Sequence, residues 1–428
     1  MVWWAHRNLN LRCDAKIVYP IHCVVHKVGS GGFIMCSTGR KRVMPILIYL
    51  LNMGKYFVKG EEAIKEKGEL VEGMYTRVNH ETLTRFVTDV LDTFGVPRED
   101  ATITARVLVK ADLRGIESHG VARLKRYTDG LKNGVVNTHP NIRSVLETPV
   151  TVVLDGDFGL GQVVSHKAMS MAIDKAKRSY VGLVAVRNSN HFGIAGFYGL
   201  MALEHNLVGL VTTNSEPLVA PTFSKRRFLG TNPICVTAPT GQGGFVLDMA
   251  TSVAPIGKIE VARRIRKKVP LGWGIDPEGK ITDDPEEVAK GALVPLGGLG
   301  ETLSGHKGYG LGAVVDIFSG ILSGAAWGAN VGMTQGPRPA NVGHFFGALR
   351  VEAFMPLPDF KARMDEFIRS LKKAERLTDR QEIYVAGEKS SYTESVRRRI
   401  GVALDARTVE MLKQLGTETG VDFPFNRS

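Results

Sequence analysis

Residues Val150 to Asn190 read VTVVLDGDFGLGQVVSHKAMSMAIDKAKRSYVGLVAVRNSN. VTVVLDGD has the β-branched density of a buried strand, SHKAMSMAIDKAKRSY has helical spacing, and VGLVAVRN is a second strand. The alternation continues with GFYGLMALEHN as helix and LVGLVTTN as strand, and PICVTAPT and GGFVLDMAT add two more strands. This pattern predicts an α/β domain built on a central, largely buried sheet.

The same stretch tests for a dinucleotide fingerprint. Gly159 and Gly161 stand between strand and helix, but the third position of GxGxxG is Val164. The fingerprint also needs an acid at the end of the next strand, and that strand ends in VAVRNSN. A nicotinamide cofactor would therefore be held by a non-Rossmann architecture.

Upstream, Asn79 can cap a helix in which Leu83, Phe86, Val87, Val90, Leu91 and Phe94 share one face, closed by Gly95. A second helix is expected over about 98–113 and a third from Ser118. Downstream, GYGLGAVVDIFSGILSGAAWG reads as a buried helix whose glycines and alanines permit close packing. PDFKARMDEFIRSLKKAER reads as an amphipathic helix with Phe360, Met364, Phe367, Ile368 and Leu371 at helical spacing.

Residues 1–73 show no sustained period. VMPILIYLLNMG is too short and too interrupted for a membrane span, and no signal-peptide cleavage pattern follows a charged start. His22, Cys23 and His26 with Cys13 or Cys36 could be read as zinc ligands, but no paired CxxC supports this and no metal is expected. VEGM can be encoded by a purine-rich run just before an ATG, so the native chain is expected to start at Met74, with 1–73 a non-native or disordered extension. The four cysteines form no disulfide framework and fit a reducing cytoplasm.

The net charge of +12 raises the possibility of a basic nucleic-acid-binding protein. Residues 1–73 carry +5 of it, and the densest run in the body, RRIRKK from Arg263 to Lys268, has no interleaved aromatic. A solvated face explains that run better, and a basic balance also suits an enzyme that collects small anions.

Polar groups gather at strand ends, where α/β folds place their sites. Asn188, Asn190 and His191 follow one strand, Asn214 and Ser215 another, and Thr231, Asn232 and Asp248 lie at others. SGHKGYG, Ser304 to Gly310, sets a lysine among glycines at a helix start, suited to a phosphate. In GIESHGVARLKRY, Gly115 to Tyr127, a helix after Ser118 would put His119 and Arg123 on one face, a turn apart.

Together, in this order, ADLRGIESHGVARL, VRNSNHFGIAGFY, TNPI, LDMATS, GWGIDPEGKITDDPEE, GALVPLGG, HKGYGLG and VAGEK resemble the type-2 malate/L-lactate dehydrogenase family. That family is distinct from the Rossmann-fold malate dehydrogenases and includes sulfolactate and ureidoglycolate dehydrogenases and a cyclic imino-acid reductase. The resemblance spans Met74 to the C-terminus and implies an NAD- or NADP-dependent oxidoreductase of small 2-hydroxy acids, malate foremost, acting as a cytoplasmic homodimer without nucleic-acid or membrane partners. A reductase of cyclic imino acids is the alternative within the family. The resemblance further implies that residues 74–145 and the C-terminal helices, about 356–428, form a mainly helical domain, with the α/β domain over 146–355.

The resemblance makes His119 the acid/base, Arg123 the anchor of the substrate carboxylate, Ser118 a substrate-binding neighbour, and His191 a group beside nicotinamide or substrate. It places the cofactor on Asp248, on His306 and Lys307, and on the turn at Gly387 and Glu388, where Ala386 replaces the family's usual proline.

Overall fold

The computed structural model describes residues 23–28, 31–36, 75–264, 266–378 and 381–423. The chain divides into two compact units, Met1–Gly73 and Met74–Ser428. In the first, Cys23–Val28 and Gly31–Cys36 pair as an antiparallel hairpin, which the absence of a period in the sequence did not announce. Of the residues read as zinc ligands, Cys13 and His22 lie outside the described residues, as does Met74, the expected start of the native chain.

The second unit is built on a seven-stranded sheet. Its spatial order is Arg143–Glu147, Thr151–Asp155, Val181–Ser189, Val342–Arg350, Leu207–Thr213, Ile234–Thr240, Gly243–Met249. Thr151–Asp155 and Val181–Ser189 are parallel, as the strand-helix-strand pattern requires. Every other neighbouring pair is antiparallel, so the sheet is mixed.

Two strands of this sheet escaped the sequence reading. Val342–Arg350, VGHFFGALR, lies at the sheet's centre, and its residues from Val342 to Ala348 are all buried. A strand covered on both faces loses the alternation that marks half-buried strands. Arg143–Glu147 is an edge strand exposed throughout, joined to its neighbour by a turn in which the Thr148 N–H donates to the Thr151 carbonyl at 2.9 Å.

This unit has two large hydrophobic cores. Asn79 caps helix His80–Thr93 by accepting from the Glu81 and Thr82 N–H groups. Leu83, Phe86 and Val90 then pack with Leu108, Val402, Leu404 and Leu412. Strand Val402–Asp405 pairs with Tyr75–Val78, tying the C-terminal part to the opening helices. In the other core, Met169 and Ile173 of helix Gly161–Ser179 and Tyr198 of helix Ala195–Glu204 close over Val184, Val186 and Phe346.

The seam between the cores is interlocked, since Leu160 and Val163 belong to the first and Val107 to the second. Helix Leu357–Lys373 has no fully buried residue and meets the sheet's edge, where Asp365 accepts from the Gly241 N–H at 3.0 Å.

The run expected as a buried helix is buried on one side only. Helix Gly305–Asp316 continues into a π-helical turn at Ile317–Ile321. Its glycines do allow close packing: a Cβ on Gly308 would come within 2.0 Å of the Leu296 carbonyl oxygen. The outer side, however, leaves Ile317 50%, Ile321 55% and Leu322 56% exposed. The periodicity reported apolar residues correctly, but it could not say that the chain's own fold covers only half of them.

Because Met74–Ser428 is compact by itself, a chain beginning at Met74 is expected to keep the melting temperature and association state of the full chain. Calorimetry and sedimentation check this, and a large fall in either would assign residues 1–73 a structural role.

Candidate active site

Helix Arg98–Leu113 delivers Asp112, fully buried, to the turn that follows it. Its carboxylate accepts the Val121 N–H at 2.8 Å. Burial pushes the Asp112 carboxyl up to about 8. Gly120 passes so close beneath that a Cβ there would stand 1.8 Å from Asp112 Oδ1, which is why this position carries glycine.

This clamp breaks the expected helix. Glu117–His119 and Val121–Arg123 are separate single 3-10 turns with extended Gly120 between them, and the α-helix begins only at Leu124. His119 and Arg123 are thus not one turn apart on an α-helical face. They stay linked by hydrogen bonds: Ser118 Oγ lies 2.9 Å from His119 Nδ1, and Arg123 Nε donates to the Ser118 carbonyl at 2.8 Å.

His191, from the loop after Val181–Ser189, stacks on His119 with ring centroids 5.6 Å apart and planes inclined by 19°. Tyr127 Oη lies 2.7 Å from His191 Nδ1, and the Gly193 N–H donates to the same nitrogen at 3.4 Å. A backbone N–H can only donate, so Nδ1 is the unprotonated nitrogen and Nε2 carries the proton. His191's own N–H donates to Thr334 Oγ1 at 3.2 Å. The cleft at this pair is also lined by Phe192, Asn214, Ser215, Glu216 and Thr231.

Both imidazoles are held neutral. Desolvation, then the charges of Arg123 and Arg126, lower His119 to about 4. Desolvation followed by Arg126 and His119 pushes His191 well below its usual value.

The strand-end asparagines mainly tie loops together. Asn188 donates to Asp155 at 3.0 Å, Asn190 to the Phe158 carbonyl at 2.9 Å, and Asn232 to the Gly312 carbonyl at 2.9 Å. Asn214 lines the cleft yet donates to Asp316 at 2.9 Å and accepts from the Gly343 N–H at 3.0 Å.

Of the expected cofactor residues, Asp248 faces inward, accepting the Gly196 N–H at the start of helix Ala195–Glu204 at 2.7 Å. Burial raises its carboxyl to about 6. Gly387, at φ 87°, packs on Val246 of the same edge strand, where a Cβ would meet Val246 at 2.7 Å. Glu388 pairs with Lys372 and accepts the Val385 N–H at 3.2 Å. No hydrogen bond or ring contact among the described residues joins Gly387 or Glu388 to the histidine pair.

His306 and Lys307 stand exposed in the first turn of helix Gly305–Asp316. A loop with Gly297, Gly298 and Gly300 at φ 91°, 87° and 75° packs against that turn, and a Cβ on Gly305 would come within 1.8 Å of the Gly298 carbonyl. A helix start, a lysine and a glycine loop are a set that fits a phosphate group.

The family model described as malate/L-lactate dehydrogenase matches residues 78–413. The chain belongs to the malate/L-lactate dehydrogenase family. A malate dehydrogenase of Pyrococcus abyssi is 50% identical over 357 residues, covering 83% of this chain and 98% of that protein. An L-sulfolactate dehydrogenase of Methanocaldococcus jannaschii is 42% identical over 339 residues, covering 79% and 96%. The solved malate dehydrogenase of Pyrococcus horikoshii superposes with a TM-score of 0.76 at 48% identity, covering 81% of this chain and 97% of that one. This family member is a 2-hydroxyacid dehydrogenase and, as one, uses a nicotinamide cofactor.

The sequence reading missed Asp112, Arg126, Tyr127 and Glu216 as parts of this candidate site. Helical spacing from Arg123 pointed to Tyr127; the Arg126–Glu216 pair spans 90 positions and left no local signal. The two ends of the basic run at 263–268 pair with nearby acids, Arg263 with Glu286 at 2.9 Å and Lys268 with Asp283 at 2.8 Å. No helix among the described residues is long and apolar enough to cross a membrane.

The raised Asp112 carboxyl gives a pH signature. The folded chain keeps a proton that the unfolded chain releases near its ordinary value of 3.8, so the associated stability is full in acid and is lost as pH rises through about 8. From pH 7 to 8 the loss from Asp112 alone should be on the order of 1 kcal/mol. Asp112→Asn should flatten that slope in denaturant titrations; an unchanged slope would remove Asp112 as its source.

Proposed function

We propose that this dehydrogenase interconverts a small 2-hydroxy acid and its 2-oxo acid, with malate and oxaloacetate the leading pair and NAD or NADP as cofactor. The observation that carries the reading is the neutral, stacked His119–His191 pair with Arg123 hydrogen-bonded to the residue beside His119. The 50% identical malate dehydrogenase supports the choice of malate.

The nicotinamide cofactor, when bound, takes or gives the hydride. His119 presents Nε2 to the substrate hydroxyl because Ser118 occupies Nδ1. In oxidation His119 accepts the hydroxyl proton on Nε2 while its Nδ1–H donates to Ser118 Oγ; in reduction it returns the proton. His191, with its tautomer fixed by Tyr127 and Gly193, offers Nε2–H to the same substrate oxygen and stabilises negative charge there. Arg123 grips the adjacent carboxylate with its terminal nitrogens, since Nε is held by Ser118.

Lys307 and His306 take the cofactor phosphates at the glycine loop, and the strand-end region of Asp248, with the Gly387–Glu388 turn beside Val246, completes the proposed cofactor wall. The half-exposed apolar side of helix Gly305–Asp316 supports a homodimer, in which a second copy covers it. A panel of 2-oxo acids and cyclic imines with both reduced cofactors, followed by loss of nicotinamide absorbance, tests substrate and cofactor together. Reduction of imines alone would overturn the malate reading.

His119→Ala is expected to slow the chemical step by roughly 10² to 10⁴ while leaving cofactor affinity intact, as binding titrations and single-turnover rates would show. The pH profile carries a further expectation. Reduction needs His119 protonated, and Arg123 is one of the charges holding it near 4 in the free chain. A substrate carboxylate on Arg123 offsets that charge and raises His119, so the fall of kcat with rising pH should lie at higher pH than the fall of kcat/KM.

Arg123→Lys keeps the charge but loses the paired planar contact. Its kcat/KM is expected to drop by roughly one to two orders of magnitude for oxaloacetate and pyruvate alike. A defect confined to oxaloacetate would move Arg123 to the distal carboxylate.

A further inference from the structure

Behind Glu216, which lines the cleft, stands a second arginine that the proton-transfer and anchoring roles leave unused. Arg126 sits on helix Leu124–Lys132, and Glu216 follows the strand Leu207–Thr213. Their side chains are 12% and 16% exposed and meet through one hydrogen bond, Arg126 Nη2 to Glu216 Oε2 at 3.1 Å. Arg126 Nε is enclosed and has no acceptor. A buried guanidinium using one of its five donors on its counter-ion retains capacity for another anion. Glu216 lines the cleft beside His119 and His191, so the pair lies at the reacting end.

The charges around the cleft set what can enter. Arg123 pairs loosely with the half-exposed Glu260 at 3.4 Å, and Arg126 pairs with Glu216. A monocarboxylate needs one of these cations. A 2-oxo dicarboxylate brings a second negative group two carbons along, and burying it without a cation would be costly. Arg126 is the other cation whose charge reaches both His119 and His191.

Resting on the dehydrogenase reading above, we infer that Arg126 is the distal-carboxylate anchor of this cleft and that Glu216 is its counter-ion when no dicarboxylate is bound. Arg123 then recognises every 2-oxo acid, and Arg126 selects those with a second acid. Glu216 works against the dicarboxylate by its charge, but it holds Arg126 in place and keeps the free site close to neutral. Its removal should favour dicarboxylates, whereas removal of Arg126 should favour monocarboxylates.

The test compares oxaloacetate with pyruvate, each with the reduced cofactor that the unmodified chain accepts, in Arg126→Gln, Arg126→Lys and Glu216→Gln. Arg126→Gln is expected to lower kcat/KM for oxaloacetate roughly ten- to a hundredfold, mainly through KM, while pyruvate changes only a few-fold. Arg126→Lys should restore part of the oxaloacetate activity, and Glu216→Gln should lower the oxaloacetate KM relative to that of pyruvate. Equal losses for both substrates in the Arg126 variants would make Arg126 a structural residue and overturn the inference. Should those variants fail to fold, Glu216→Gln decides alone, and a higher oxaloacetate KM relative to pyruvate overturns it. If the unmodified chain reduces neither acid, the failure lies with the dehydrogenase reading, a result separate from a loss of selectivity.

Discussion

A carboxylate at the end of one helix closes over the next turn, and the geometry of the site follows from it. Asp112 accepts the Val121 N–H while Gly120 slides beneath, so the chain leaves helix Arg98–Leu113 in two tight turns instead of an α-helical extension. The same helix backs the other histidine: Val107 packs where a side chain at Gly193, two residues past His191, would otherwise sit. One rigid element therefore positions both imidazoles, and their stacking at 5.6 Å does not depend on two independently mobile loops. An unpaired Val121 N–H in this interior would cost about 1 to 3 kcal/mol, which makes the turn and the helix end a single cooperative unit.

Charge balance is the second constraint. Two arginines beside two histidines would be strongly repulsive if the imidazoles were protonated, and the protein resolves this by desolvating the rings and pairing the cations. Against the burial that would raise it, Arg126 holds the Glu216 carboxyl below its usual range. The histidines are thus neutral where a hydroxyl proton must be accepted, and each arginine keeps donors available for a substrate. In the proposed roles, proton transfer and anion binding would be coupled through the same field, because a carboxylate on either arginine would offset part of the charge that lowers His119.

Legibility of the sequence follows the range of each interaction. Asn79, the apolar face from Leu83 to Leu91 and the strand-helix-strand order are local, and each appears in the structure where the pattern put it. The failed GxGxxG, with Val164 at its third position, correctly excluded a Rossmann sheet. Val342–Arg350 was invisible because burial on both faces erases the period of two, and without it the mixed order of the sheet could not be foreseen. His119, Arg123 and His191 were legible as residues, but not the turn geometry, which depends on a buried acid with no signature of its own. Tertiary pairings such as Arg126–Glu216 have no sequence spacing to detect.

Without a Rossmann βα turn, the proposed phosphate site and the apolar outer face fall on one helix. Gly305 and Gly308 let the start of Gly305–Asp316 nest against the Gly297–Gly300 loop, leaving Lys307 outward. Further along, Asn232 holds the Gly312 carbonyl and Asn214 holds Asp316, so the helix is pinned to two strand ends that border the catalytic cleft. Its opposite side carries Ile317, Ile321 and Leu322, more apolar surface than a solvated helix has reason to keep. A rigid helix fixed at both strand ends cannot adjust one side without moving the other. Covering its outer face would therefore steady the glycine loop and the asparagine contacts together, so that the proposed association and the proposed cofactor binding would draw on the same element.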